Sequence, residues 1–185
     1  MRAPIGHFEH AAPAPDRLDE LVGPVADAVR AWRGATPAER IVHVDTNPDW
    51  ADTATFVEHY GKELLDLSAN CVVVAGRRGA ETTLAACVVP SATRVDVNGV
   101  VRRRLGARKA SFAPVETATG ATGMEYGGIT PVGLPADWPV FVDAAVVALP
   151  YVLVGSGLRR GKLLVPGPAF AELPNAVVLE GLGLS

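Results

Sequence analysis

The densest group of residues that could do chemistry through the main chain is Thr122-Gly123-Met124-Glu125-Tyr126-Gly127-Gly128-Ile129-Thr130-Pro131-Val132-Gly133. Gly127, Gly128 and Gly133, with Thr130 and Pro131 between them, specify a fixed turn whose backbone N–H groups can point outward. Such a turn lets a ligand approach the main chain closely and can hold an anionic oxygen. The same composition also suits a purely structural turn between two strands.

Other combinations invite chemistry and fail on context. Tyr151 to Gly161 carries an apolar strand into Gly155-Ser156-Gly157 and a later glycine, and Glu180 sits where a ribose-binding acid would follow. Pro166, Gly167 and Pro168 forbid the helix that must point its N-terminus at a pyrophosphate, so a dinucleotide turn is excluded. Ser156 lacks Gly-x-Ser-x-Gly spacing and no histidine follows it, which excludes a nucleophile elbow. His43 and Asp45 share one strand face and are read as an exposed or core-edge pair rather than an acid–base dyad. Cys71 and Cys87 lie in separate apolar runs with no Cys or His at ligand spacing. They are read as reduced packing residues, and no metal or other cofactor is expected.

The elements that must position these groups follow from periodicity. Residues 1–15, rich in Ala and Pro, are expected to be poorly ordered. A helical face runs from Asp16 to Arg33 through Leu18, Leu21, Val22, Val25, Val29 and Trp32, broken at Gly23-Pro24. Ile41–Val44 reads as a strand, and a helix capped by Asp52 runs to about Leu67. Strands at Cys71–Ala75 and Thr83–Val89 are joined through Gly76-Arg77-Arg78-Gly79. Asp96 caps a helix that Gly106 ends, and Pro114 opens another after a strand at Ala110–Phe112. Strands at Val140–Asp143, Tyr151–Val154, Lys162–Val165 and Ala176–Leu179 complete the chain, interrupted by a brief helix at Pro168–Leu173. Helices thus concentrate early and strands late, an α+β pattern with a largely antiparallel or mixed sheet.

Composition sets the outer bounds. The chain has 185 residues, 49% hydrophobic and 20% charged, as in an ordinary globular domain with a short extension. Asp143 and Pro150 interrupt the longest apolar stretch, and the N-terminus lacks a basic start followed by an apolar core. Neither a membrane partner nor secretion is therefore expected, and the location is read as cytoplasmic. The net charge of −3 hides an acidic front and a mildly basic remainder. Arg94 to Lys109 holds Arg94, Arg102, Arg103, Arg104, Arg108 and Lys109 against Asp96 alone. That suits a solvated helix face or a local phosphate-facing patch, and it excludes a general DNA-binding surface.

Taken together, Gly127-Gly128-Ile129-Thr130-Pro131-Val132-Gly133, Asp143 in Val140-Phe141-Val142-Asp143, and Gly155-Ser156-Gly157 resemble the YbaK/prolyl-tRNA synthetase editing-domain family. Leu105-Gly106-Ala107-Arg108-Lys109 followed by Thr122-Gly123 matches the same order. The similarity covers roughly residues 40–182. It implies an α+β fold with a curved mixed β-sheet or barrel and flanking helices. An N-terminal tail and helical extension (residues 1–39) would precede the editing domain (residues 40–185).

The resemblance further implies a deacylase that hydrolyses the ester between a wrong amino acid and the 3′ end of a tRNA. Hydrolysis would need no cofactor. A synthetase separates small apolar amino acids by only about 1–3 kcal/mol per methylene, which makes a second, hydrolytic site useful. By similarity, the amides of Gly127, Gly128 and Thr130 hold the substrate carbonyl or its oxyanion. Pro131, Gly133, Asp143, Gly155, Ser156 and Gly157 border the aminoacyl-adenosine pocket. Arg102, Arg103 and Lys109 meet phosphates of a tRNA acceptor end carrying a small amino acid. An aminoacyl-tRNA synthetase is a further expected partner.

In one position the chain departs from the family, which has a lysine at the start of the first central strand. Asn70 stands there, and an amide has no charge to offer. The implied outcomes are catalysis by backbone donors and a positioned water, with Asn70 orienting a group, or a non-catalytic binding homologue. Hydrolysis of another small acyl ester is a third. Lys109 could supply a replacement cation from a neighbouring segment, or simply face solvent.

Overall fold

The structure, a computed structural model, describes residues 1–185. Its N-terminal segment is tied down, contrary to the expectation for residues 1–15. Ala11–Pro13 form β1, antiparallel to β2 (Val42–Asp45). Phe8 stacks on Tyr60 with ring centroids 4.9 Å apart, and the His7 N–H donates to the Tyr60 carbonyl at 2.7 Å. Buried apolar contact outweighs the disorder that Ala/Pro composition suggests.

The break expected at Gly23-Pro24 falls instead at Leu21-Val22, between a 3₁₀ segment (Ala14–Glu20) and α1 (Gly23–Arg30); Pro24 sits in the first turn of α1, where its missing N–H costs nothing. Asp52 caps α2 (Thr53–Tyr60) by accepting from the Thr55 N–H. This helix stops at Gly61, at φ 128°, and a 3₁₀ turn (Lys62–Leu65) follows, so the single helix expected to Leu67 is two pieces.

The apolar runs around Val72–Val74 and Ala85–Val89 build the longest hairpin, β3 (Ala69–Arg78) with β4 (Glu81–Pro90). Its strands continue through Gly76, Arg77 and Arg78, leaving only Gly79-Ala80 as the turn, with Gly79 at φ 63°. Then come β5 (Arg94–Val95), a π turn over Val97–Val101 capped by Asp96, and α3 (Arg102–Arg104). Next are β6 (Lys109–Phe112) and α4 (Val115–Thr122), with Pro114 as its N-cap. The remaining elements are β7 (Val140–Asp143), α5 (Ala144–Val147), β8 (Tyr151–Gly155), β9 (Gly161–Pro166), β10 (Ala176–Leu179) and β11 (Gly183–Leu184).

These strands form a four-stranded sheet in the order β1-β2-β9-β8, a five-stranded sheet in the order β10-β7-β4-β3-β6, and a small β11-β5 ribbon. The first sheet is antiparallel. The second is mixed, because β7 runs parallel to both β4 and β10. The class is α+β as expected, with no closed barrel; the sheets instead meet at an isolated parallel bridge between Ser68 and Leu153. The main core lies between them and includes Val25 and Val29 of α1, Val140, Val154, Leu163 and Phe170. A second core backs the mixed sheet through Val74, Cys87, Val101 and Phe141. A third packs α2 and the N-terminal segment under Val42, Val44 and Leu164. No helix is long and apolar enough to cross a membrane.

Candidate active site

Where the two sheets meet, a cleft of about 540 Å³ opens between the start of β3 and the end of β8. Its size falls within the range of small-molecule sites. The walls are largely apolar and include Val73, Ile129 and Leu153. The polar groups that line it include Ser68, Asn70, Lys162, and the main chain at Gly127 and Gly155. Tyr126, Phe112 and Val115 border the cleft with relative exposures of 68%, 58% and 49%.

Strand register explains how Lys162 arrives there. It pairs with Gly155 across β8–β9, so its side chain leaves the sheet on the face where the glycine turn packs against Gly155. Lys162 also pairs with Val44, and therefore faces the same side as Val44 and Leu164, opposite to His43 and Asp45. Burial, with Arg159 nearby, holds its ammonium below the ordinary lysine range. Its only sequence signal is a charged residue at the head of the otherwise apolar run Leu163-Leu164-Val165.

The glycine turn sits against the Gly155–Gly157 segment. The Glu125 N–H donates to the Gly157 carbonyl at 2.9 Å, and the Gly157 N–H returns a bond to the Gly128 carbonyl at 2.7 Å. The Gly128 N–H closes the turn onto the Glu125 carbonyl at 3.0 Å, whereas the Gly127 N–H is engaged by no other group of the chain. A Cβ on Gly155 would lie 2.5 Å from the Gly128 carbonyl oxygen, so the two glycine segments approach as only glycine allows.

Asn70, Gly127 and Gly155 thus come together, while the other residues singled out in the sequence take different places. Thr130 is fully buried, and its hydroxyl oxygen accepts from the Val132 N–H at 3.5 Å. Pro131 and Gly133 face a second hollow beside Trp32 and Leu173. Asp143 accepts from the Ala145 and Gly183 N–H groups at 2.8 and 2.7 Å, capping α5 and fastening β11. Ser156 donates to the Gly161 carbonyl at 3.0 Å on the far side of the first sheet. Gly157 packs on Val22 and Val25.

Cys71 lines the cleft, yet burial pushes its thiol well above the ordinary range, with Cys87 reinforcing the shift; the Cys87 thiol is itself pushed up to about 12 by burial. Neither supplies a thiolate near neutral pH. His43 is buried as a core-edge residue, and burial lowers its pKa against the opposing pull of Asp45.

Lys109 is exposed on β6, opposite Arg77, and does not line the cleft. Arg103, Arg104, Arg108 and the hairpin residues Arg77 and Arg78 are exposed near it, and Arg102 is half-buried, donating from Nε to the Asn98 carbonyl. The basic patch is therefore completed by two arginines from the β3–β4 hairpin. Strand β6 links it to Phe112 at the cleft, about 10 Å from Lys109 at ~3.3 Å per residue.

Comparisons with known proteins agree with this architecture. A solved structure of a scaffold from epitope grafting by computational design superposes with a TM-score of 0.71 at 21% identity, covering 88% of this chain and 96% of that one. A candidate trans-editing enzyme for prolyl-tRNA synthetase gives 0.69 at 21% identity over 89% of this chain and 99% of that one. The hypothetical protein APE2540 gives 0.67 at 21% identity over 85% and 97%. No curated protein gives a significant match. The model of the aminoacyl-tRNA editing domain matches residues 47–173, most of the chain, and this protein belongs to that family.

Proposed function

We propose that the cleft hydrolyses the ester joining a misattached small amino acid to the 3′ end of a tRNA, acting in trans on the product of an aminoacyl-tRNA synthetase. The observation that carries this reading is Lys162. It brings a cation to the cleft that Asn70 also lines, from a different strand than the one on which the family's lysine stands.

In the proposed reaction the Lys162 ammonium and the Gly127 N–H donate to the ester carbonyl oxygen as negative charge develops on it. Asn70 orients a water for attack on the carbonyl carbon. The new C–O bond forms from that water, the bond to the ribose oxygen breaks, and the ribose oxygen leaves as a hydroxyl carrying the water's proton. No covalent enzyme intermediate is needed, because the aminoacyl ester is already activated. Gly128, Thr130, Pro131 and Gly133 hold the turn that presents Gly127; Asp143, Ser156 and Gly157 hold the segments behind it.

The apolar walls suit a small side chain. The exposed rings of Tyr126 and Phe112 suit stacking by the terminal bases, which contributes about 1–3 kcal/mol per base. The patch around Arg102, Arg103 and Lys109 would meet acceptor-stem phosphates. Residues 40–185 then constitute the editing module, and residues 1–39 an extension that adds β1 to its first sheet and Val25 and Val29 to its core.

The second reading, a binding protein without turnover, is favoured by Asn70 in place of the family's lysine. The deciding experiment is a deacylation screen of the purified protein, and of Lys162→Met, against mischarged tRNAs. Turnover by the wild type that falls about 10²- to 10³-fold in the variant supports the enzyme. Saturable binding with no turnover supports the alternative.

A further inference from the structure

On the opposite face of the four-stranded sheet from Lys162 lies a second, polar cavity of about 630 Å³. Glu20, from the end of the 3₁₀ segment, and His43 and Asp45, from β2, converge on it. One potential ligand atom from each of the three lies within 4.8 Å of the other two. His43 Nδ1 stands 3.9 Å from Asp45 Oδ1. The His43 side chain is only 4% exposed, and Nδ1 is buried with no hydrogen-bond partner. A buried, unpaired ring nitrogen is costly, and here it is aimed at two carboxylates that remain 39% and 42% exposed.

We propose that Glu20, His43 and Asp45 form a site for a divalent first-row transition-metal ion, bound through one imidazole nitrogen and one oxygen of each carboxylate. Mixed nitrogen and carboxylate donors suit Zn²⁺, Mn²⁺, Fe²⁺ or Co²⁺ better than Ca²⁺ or Mg²⁺, which take oxygen ligands. Ligand bonds of about 2.0–2.2 Å place donor atoms roughly 3.3–3.6 Å apart in a tetrahedral site. From separations of 3.9 to 4.8 Å, the groups therefore need to close by roughly 0.3 to 1.5 Å. Three protein ligands leave coordination positions open toward the cavity, as in exchangeable rather than structural sites.

Two neighbours shape the site. Gly161 pairs with Asp45, and a Cβ there would lie 2.7 Å from His43 Nε2, so this glycine makes room for the imidazole. Arg17 donates to Glu20 at 2.5 Å, which makes it a competitor that the ion must displace or share. The ion would be a feature that Cys and His spacing in the sequence did not announce, because one ligand comes from a separate segment more than twenty residues upstream.

The test is titration of the full-length, metal-stripped protein with Co²⁺, followed by visible absorption, and with Zn²⁺, followed by calorimetry and histidine ring NMR signals. One ion per chain is expected, with the His43 resonances shifted by Zn²⁺. Glu20→Gln and Asp45→Asn alter partly exposed carboxylates and should keep the fold, and each should weaken binding about tenfold or more. Asp19→Asn, in the same cavity, should change it little. No binding at saturating metal overturns the proposal. So does undiminished binding by both carboxylate variants, or Zn²⁺ shifts confined to His7, His10 and His59.

Discussion

Lys162 of β9 stands opposite Gly155 of β8 in the antiparallel register, and both residues line the cleft where the two sheets meet. Removing the charge separates function from stability. Lys162→Met should lower deacylation about 10²- to 10³-fold without lowering the melting temperature, since burial already disfavours the charged form. The sign fixes the pH behaviour. The cost of burying the cation is present below the lowered pKa and is relieved as pH rises toward the unfolded value of about 10.4. Activity that depends on the ammonium should therefore fall as pH rises through the lowered value. Lys162→Arg, charged throughout, should retain its activity further into alkali, as a kcat–pH profile will show.

Asn70 is exposed at the start of β3 and contributes little to stability. Asn70→Ala should reduce turnover several-fold while leaving thermal denaturation unchanged. Deacylation by the wild type, Asn70→Ala and Asn70→Lys on one substrate panel distinguishes the two readings. An inactive wild type that gains turnover in Asn70→Lys places the natural protein among binding homologues.

The adjacent glycines should respond differently. A Cβ on Gly128 would lie 2.8 Å from the Leu158 carbonyl carbon, a backbone clash that should cost about 1–3 kcal/mol of stability. On Gly127 it would meet only the Arg159 side chain at 3.7 Å, leaving the strain of φ 83°, about 1–2 kcal/mol. Denaturant unfolding combined with activity per folded molecule separates the effects. Gly127→Ala should lose activity beyond its loss of folded fraction, by tilting the donor, with a one to three order-of-magnitude drop if the N–H meets the substrate.

Neutralising Arg102, Arg103 and Lys109 together should weaken binding of full-length tRNA and flatten its dependence on salt, because fewer counterions are released. Hydrolysis of a minimal aminoacyl-nucleoside ester should be nearly unchanged. An unaltered salt slope returns these residues to a solvated face.

Local rules carried much of the fold. Asp52 and Asp96 cap where short polar side chains precede apolar helical faces, and the apolar runs at Val140–Asp143 and Tyr151–Val154 mark strands that exist. What sequence could not convey was pairing at long range. The stacking of Phe8 on Tyr60 depends on a partner 52 positions away, so Ala/Pro composition alone suggested a loose tail. The candidate site shows the same division. Asn70, Gly127 and Gly155 were legible as a motif, but Lys162 enters through strand register, and Tyr126 and Phe112 through exposure beside a cavity. Gly133 and Gly157 carry glycine signals as strong as Gly127, yet theirs answer to Pro24 and Val22, against which those backbones pack.

The isolated bridge between Ser68 and Leu153 has a consequence for substrate choice. A full ladder would lock neighbouring strands at about 4.8 Å along their length; a bridge pins one point and leaves the angle between the sheets to the filling of the core. Aperture is then a property of the interior. Trimming or enlarging Val140 or Val152, core residues that do not line the cleft, would reset how wide the jaws stand. On the proposed deacylase reading, selectivity for one acyl side chain over another would drift through interior volume while every polar group in the cleft stays the same.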